Sequence, residues 1–99
     1  MYEVHVLPSA DDHLLKIANY ISNELYNPTA ALSLIDHFER SIVELKDFPN
    51  RYPVHESDVV KTEFRKLTLG NYLIFYTVDG KYVYVAFILH EKQDFDATY

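Results

Sequence analysis

Residues 72–90, YLIFYTVDGKYVYVAFILH, are the most strand-like part of this 99-residue chain. Tyr, Val, Ile and Phe dominate the stretch, and these side chains favour β-strands. Asp79-Gly80 near its middle is a strong hairpin signal. We therefore predict two antiparallel strands, Tyr72–Val78 and Lys81–Leu89, joined by a two-residue turn.

The sequence upstream predicts two further strands and two helices. Polar and apolar residues alternate in Tyr2–Leu7, which predicts a first strand. Val59–Thr68 predicts a further strand, with a weaker pattern because charged residues interrupt it. Between them, apolar residues recur at helical spacing in two sets, Leu14, Ile17, Ala18, Ile21 and Leu25, then Ala31, Ile35, Phe38, Ile42 and Leu45. Ser9 suits the cap of the first helix, and Asn27-Pro28 suits the start of the second.

These elements predict an α+β domain with the order β-α-α-β-β-β, spanning residues 1–99 as one domain. The link around Tyr26 is short, so the helices form a hairpin on one face of a mostly antiparallel four-stranded sheet.

The predicted hairpin leaves a second apolar face. A turn at Asp79-Gly80 pairs Tyr76 with Val83 and Ile74 with Val85 on the face that takes the helices. Two helices cover only one side of such a sheet, so the other side needs a partner. The predicted partner-binding residues are Leu73, Phe75, Tyr82, Tyr84 and Ile88. The alternatives are cover by a C-terminal turn that carries Phe95 and Tyr99, or self-association.

Composition excludes several classes of site. The chain has no cysteine, which rules out disulfides, thiolate zinc sites and thiol nucleophiles. Its two glycines are too few for a phosphate-binding loop, and its five histidines lack metal-ligand spacing, so we expect no cofactor and no metal. Its apolar runs are too short for a bilayer, so we expect a cytoplasmic protein without membrane contact.

The charge is distributed unevenly. The net charge of −6 argues against a general nucleic-acid coat protein, but six of the nine bases lie in residues 51–99. They form either a local basic patch or ordinary solvated strand edges. If they form a patch, the candidate catalytic residues are Arg65, Lys66, His90 and Lys92. The structural alternatives are an ion pair of Arg65 with Glu63, with Asp58 or with acidic residues of the helices, and a local hydrogen bond of His90.

The order of several short motifs resembles a known family. Phe64-Arg65-Lys66-Leu67 precedes the run from Gly70-Asn71-Tyr72 to Asp79-Gly80, and a valine-rich strand ends in His90 with Gln93-Asp94 nearby. Upstream, Asn27-Pro28 opens a helix that Phe48-Pro49 follows. Over nearly the whole chain this pattern resembles the RelE/ParE superfamily of toxins from type II toxin–antitoxin and plasmid-stabilisation modules.

The resemblance implies a toxin that a cognate antitoxin neutralises. The ParE-like branch inhibits DNA gyrase by binding it, and the RelE-like branch is a metal-independent endoribonuclease that cleaves mRNA on the ribosome. Lys66 matches a basic position of the RelE-like branch, and Lys92 falls near another. Phe64 and Leu73, however, stand where that branch often carries Lys and Arg. The resemblance is therefore closer to the ParE-like branch, with the endoribonuclease as the alternative.

Overall fold

The structure is a computed structural model, and it describes residues 1–98. Its elements, in chain order, are strand β1 (Glu3–Val6), helix α1 (Pro8–Asn19), a π-helical segment (Tyr20–Glu24), helix α2 (Pro28–Leu45), strands β2 (Arg65–Leu69), β3 (Tyr72–Asp79) and β4 (Tyr82–His90), and the short helix α3 (Phe95–Thr98). The predicted α+β class and the order β-α-α-β-β-β are confirmed.

The sheet has the order β1-β4-β3-β2. Both hairpin pairs are antiparallel, whereas β1 lies parallel to β4, with Glu3 opposite Tyr82 and Val6 opposite Val85. Parallel neighbours require a long connection, and here the helical pair and strands β2 and β3 all lie between β1 and β4 along the chain. Of the described helices, none is long and apolar enough to cross a bilayer.

The start of α1 differs from the prediction. The helix begins at Pro8 after an extended Leu7, and Ser9 makes no capping bond. Instead, the Ser9 hydroxyl donates to the main-chain oxygen of Ala86 in β4 at 2.6 Å. This tertiary hydrogen bond replaces the local cap, so α1 is tied to the sheet from its first turn. The predicted start of α2 is confirmed, since Asn27 Oδ1 accepts from the Ala30 N–H at 3.1 Å.

One face of the sheet, the helix-side face, carries the main core. The sheet residues buried there are Leu67, Leu69, Ile74, Tyr76, Val83, Val85 and Ile88, and the helices add Ala10, Leu14, Leu34, Phe38 and Leu45. Three of the helical residues, Leu14, Phe38 and Leu45, belong to the predicted apolar sets, so the periodicity identified the buried stripe.

The β3–β4 turn lies one residue later than predicted. Asp79 pairs with Tyr82, which leaves Gly80 and Lys81 as the loop. Gly80 has φ +59°, and Gly70 has φ +60° in the matching loop between β2 and β3. A positive φ at the first loop position favours glycine. The loop therefore begins at Gly80, and as a result Tyr76 pairs with Val85 instead of Val83.

A bulge then exchanges the two faces of β4. Tyr76 pairs with Val85 but Phe75 pairs with Phe87, so Ala86 is an extra residue. One extra residue moves every later side chain to the opposite face. Ile88 consequently packs on the helix-side face with 1% of its surface exposed. Its predicted place on the opposite face is wrong, and Leu89 takes that place.

Strand β2 is shorter than predicted. It begins at Arg65 instead of Val59, and residues 54–64 cross the sheet as a strap. The strap joins β2 through a single bridge between Val54 and Arg65. His55 N–H donates to the Phe64 oxygen at 2.7 Å, which fixes the start of the strap beside the strand.

Candidate functional site

The face opposite the helices, called here the far face, is partly closed by the chain itself. Val60 and Phe64 from the strap, Phe75, Ala86 and Leu89 from the sheet, and Phe95 from α3 form a second buried cluster, called here the closed cluster. The Phe95 ring lies 4.7 Å from Phe75 and 5.3 Å from Phe64, centroid to centroid. Ser57 Oγ donates to Asp96 at 2.6 Å and ties the strap to α3.

This closure corrects part of the predicted docking face. Phe75 is only 2% exposed, so its predicted place on an open surface is wrong. Leu73 is half-buried at the margin of the closed cluster. The alternative of cover by a C-terminal turn holds for Phe95, while Tyr99 lies outside the described residues. The strap was not expected as a cover, since it contributes only Val60 and Phe64 to the closed cluster.

The part of the far face next to β1 stays open. His5, Tyr82 and Tyr84 lie side by side there as an aromatic row, with ring centroids 5.7 Å apart for His5 and Tyr84 and 6.3 Å apart for the two tyrosines. His5 is exposed and both tyrosines are half-buried. Lys81 lies over the Tyr82 ring at 5.3 Å, and His5 bonds to Glu3. Tyr82 and Tyr84 are thus the predicted partner-binding residues that a partner can still reach.

Arg65, the first of the candidate catalytic residues, is engaged in the fold. Its guanidinium donates to the main-chain oxygen of Tyr52 at 2.6 Å and to that of Asn50 at 3.2 Å. It also lies 4.0 Å from Glu63, which was one of the predicted structural partners. Its side chain is 22% exposed. A guanidinium with this many protein acceptors is a poor ligand for a substrate phosphate.

Lys66 and His90 lie on opposite faces of the sheet. Lys66 pairs with Phe75 on the far face, and His90 pairs with Tyr72 on the helix-side face. Successive side chains of a strand alternate between faces, so an offset of three residues between Tyr72 and Phe75 separates the two groups. Lys66 and His90 are also two strands and three residues apart in the sheet. Their backbones are therefore separated by roughly 10 Å across the sheet and roughly 10 Å along it.

His90 instead makes local contacts, as its structural alternative predicts. Its N–H donates to Gln93 Oε1 at 2.7 Å, and its Nδ1 accepts from the Lys92 N–H at 3.2 Å. Its ring meets Tyr72 edge-on at 5.3 Å. The four candidate catalytic residues therefore do not converge on one point.

The outer surface of the helical pair is a feature that the sequence reasoning missed. Leu15, Leu32 and Val43 are 60%, 69% and 60% exposed. Each of these residues directly follows a member of the predicted apolar sets. An apolar residue next to such a member falls outside the buried stripe, and this pattern could have indicated an exposed apolar side chain. Asp11, Asp12, Asp36 and Glu39 lie exposed on the same helices. The outer surface of the helices thus carries three exposed apolar side chains and an excess of acidic ones, although Lys16 and Arg40 pair with Asp12 and Asp36.

Burial raises the pKa of three tyrosines. Desolvation is the main cause at Tyr76, Tyr72 and Tyr52, and the hydrogen bond to Glu44 raises the pKa of Tyr52 further. Each of these phenols therefore stays protonated at neutral pH. None of the three has the lowered pKa that would suit a base. Among residues 1–98, no group of three or more His, Asp or Glu side chains is placed to hold a metal ion.

A comparison with solved structures confirms the architecture. The chain resembles a structure described as the chromosomal ParDE TA system from P. aeruginosa, with a TM-score of 0.74 and 22% identity over 91% of this chain and 96% of that one. At this identity the match shows the fold alone. No curated protein sequence matches the chain.

The family follows from the sequence itself. The family model for the ParE toxin of the type II toxin–antitoxin system, parDE, matches residues 4–95. The chain therefore belongs to the ParE toxin family, and the predicted resemblance to the ParE-like branch is confirmed. It is a type II toxin of the ParE kind.

Proposed function

We propose that this toxin arrests growth by binding an essential protein, with DNA gyrase as the expected target, and that a cognate antitoxin neutralises it. The membership of the ParE family supports this class of target. Such a target lies in the cytoplasm, where we expect the toxin to act. The single observation that carries the proposal against catalysis is the position of Lys66 and His90 on opposite faces.

The dispersed cations argue against an endoribonuclease. Cleavage of a phosphodiester needs positioned donors around the developing negative charge and an acid or base within hydrogen-bond reach. Arg65 is bound to two main-chain oxygens, and Lys66 and His90 do not share a face. Without charged groups that converge on one phosphate, the protein lacks the electrostatic stabilisation of the transition state on which a metal-independent nuclease depends.

Two open surfaces are suited to protein partners. One is the aromatic row on the far face, and the other is the apolar and acidic outer surface of α1 and α2. Aromatic side chains are frequent anchors at protein interfaces. The acidic helical surface favours a basic amphipathic segment, because opposite charges steer and align partners. We propose that the antitoxin binds one of these surfaces and the target binds the other.

The test is an assay of DNA supercoiling with purified toxin and gyrase, paired with an assay of in-frame mRNA cleavage on ribosomes. We expect inhibition of supercoiling that added antitoxin reverses, and intact mRNA. Uninhibited gyrase would exclude it as the target. Cleaved mRNA would instead support the endoribonuclease alternative.

A further inference from the structure

The outer edge of strand β1 is open. This strand lies at one end of the sheet, so only one of its two edges pairs with β4. The Glu3 and Leu7 N–H groups donate to main-chain oxygens in and beside β4, at 2.8 and 2.9 Å. In a strand, the main-chain groups of successive residues point to opposite edges. The N–H and C=O groups of Val4 and Val6 therefore point away from β4.

The chain closes this edge at both ends but not between them. Tyr2, which also points outward, donates its N–H to the Lys46 oxygen at 2.8 Å, so the end of α2 covers the start of the edge. Pro8 begins α1 at the other end. Within residues 1–98, no main-chain hydrogen bond engages the outward groups of Val4 and Val6. An unpaired edge of this kind is a template for a further strand.

The open stretch is complementary to itself. In an antiparallel pair, residues whose main-chain groups face each other exchange two hydrogen bonds. With His5 on a two-fold axis, Val4 faces the partner's Val6, and Val6 faces the partner's Val4. The two adjacent symmetric registers pair less well. An axis at Val4 extends the pairing into the edge that Lys46 covers, and an axis at Val6 sets Val4 against the partner's Pro8, which has no N–H.

The two faces of the sheet also match across this axis. Val4 and Val6 pack against the helix-side core but are only half-buried, so a facing pair from a second copy adds apolar cover. On the far face, His5 is exposed and stacks on Tyr84. The partner's His5 continues the aromatic row at this point. Because pairing at an edge leaves both faces accessible, the row is lengthened and stays open.

The charges at the two ends of the open stretch are complementary. An open hollow at the start of β1 is lined by Lys46 and Lys81, and the Glu3 carboxylate there bonds within its own strand. Asp11 and Asp12 lie exposed just beyond the other end, near the start of α1. Antiparallel pairing sets the lysine end of each copy beside the aspartate end of the other. Opposite charges fix the register of an interface, and here they favour a second copy of the chain.

We propose that the toxin forms a symmetric dimer through the outer edges of β1, in which the two sheets join into one continuous sheet. The interface is isologous, since the same segment contributes both sides. It involves few residues, so the dimer is weak and forms at high protein concentration. The proposal rests on the edge of β1 and does not depend on the target of the toxin.

Cross-linking through a single introduced cysteine tests the register, since the natural chain has no cysteine. In the proposed dimer, His5 and the partner's His5 form a non-hydrogen-bonded pair with Cα atoms about 4.5 Å apart, which a disulfide can span. We expect His5→Cys to give a covalent dimer under mild oxidation of the purified full chain. Glu3→Cys is the matched control, because Glu3 faces the partner's Leu7 and its two copies lie about 14 Å apart. No cross-link at position 5, or equal cross-linking at both positions, would overturn the proposal.

A proline variant separates edge pairing from random collision. Val4→Pro removes an outward N–H but no hydrogen bond to β4, and proline is tolerated on edge strands. We expect it to lower the cross-linking of His5→Cys at least tenfold, with an unfolding temperature near that of the wild type. Analytical ultracentrifugation of the cysteine-free wild type from about 10 to about 500 µM should show a reversible dimer. A wild type that stays monomeric over this range would contradict the proposal.

A strand of the antitoxin is the competing occupant of this edge. Hydrogen exchange at the Val4 and Val6 amides, followed by NMR, distinguishes the two. Protection that rises with the concentration of toxin alone supports the dimer. Protection that appears only when antitoxin is added would overturn the dimer and assign the edge to the antitoxin.

Discussion

Tyr76 donates its hydroxyl to the main-chain oxygen of Pro49 at 2.6 Å, which ties the central strand β3 to the segment that follows α2. Tyr76 is fully buried. Tyr76→Phe removes the donor and leaves the Pro49 oxygen without it, so we expect a loss of about 1–2 kcal/mol in the free energy of unfolding at pH 7. Urea denaturation measures this loss, and an unchanged midpoint would contradict the role of the bond.

The same residue predicts a pH dependence. Burial raises the pKa of Tyr76 far above that of an exposed phenol, so between pH 10 and the folded pKa the unfolded chain binds fewer protons than the folded one. Stability is then fully present below about pH 10 and falls above it, by up to about 1.4 kcal/mol per pH unit for this group. The stability gap between wild type and Tyr76→Phe should therefore shrink from pH 8 to pH 11. A constant gap would contradict the raised pKa.

Arg65 and Lys66 are neighbours with different expected roles. Arg65 holds the main-chain oxygens of Tyr52 and Asn50, so Arg65→Met should lower the free energy of unfolding by about 2 kcal/mol. Lys66 has no comparable hydrogen bond among those described, and Lys66→Met should change stability by less than about 0.5 kcal/mol. Thermal or urea unfolding of both variants compares them directly. Equal losses would refute a structural role specific to Arg65.

The closed cluster predicts a large effect at Phe95. This ring is 5% exposed, so Phe95→Ala should lower the free energy of unfolding by about 3 kcal/mol. It should also increase the binding of a hydrophobic dye. Phe48→Ala is the matched control, because Phe48 is 58% exposed and its loss should cost less than about 0.5 kcal/mol. If Phe95→Ala were as mild as the control, α3 would not seal the far face in solution.

The two open surfaces make different predictions for the antitoxin. Tyr84→Asp places a charge in the aromatic row, and Leu32→Asp places one on the outer surface of α2. Both positions are accessible, so both variants should fold. We expect one of them to weaken the complex at least tenfold in a calorimetric titration with antitoxin, which identifies the surface that it covers. Wild-type affinity in both variants would exclude both surfaces.

The sequence predicted the elements and the helix-side core because those depend on local patterns. Asn27 caps α2 as expected, and the apolar sets that include Leu14 and Phe38 face the sheet. The register of β4 was not predictable in the same way. The bulge at Ala86 has no strong signal in a strand of continuous apolar residues, yet it moves Ile88 to the other face.

The candidate site depended on that register and on long-range closure. Phe75 lies in an apolar strand whichever face is open, and only the strap and Phe95 bury it. Their contacts join residues far apart in the chain, such as Ser57 and Asp96, which no local pattern reveals. Tyr82 and Tyr84 escape this closure because they lie beside β1, away from α3.

The decisive measurement is growth after induction of the Lys66→Ala/His90→Ala double variant in the absence of antitoxin, with supercoiling scored in the same cells. Because we propose action by binding, the double variant should arrest growth and relax DNA as the wild type does. Loss of arrest in a double variant that accumulates and folds normally would contradict this mechanism and favour catalysis at these two residues.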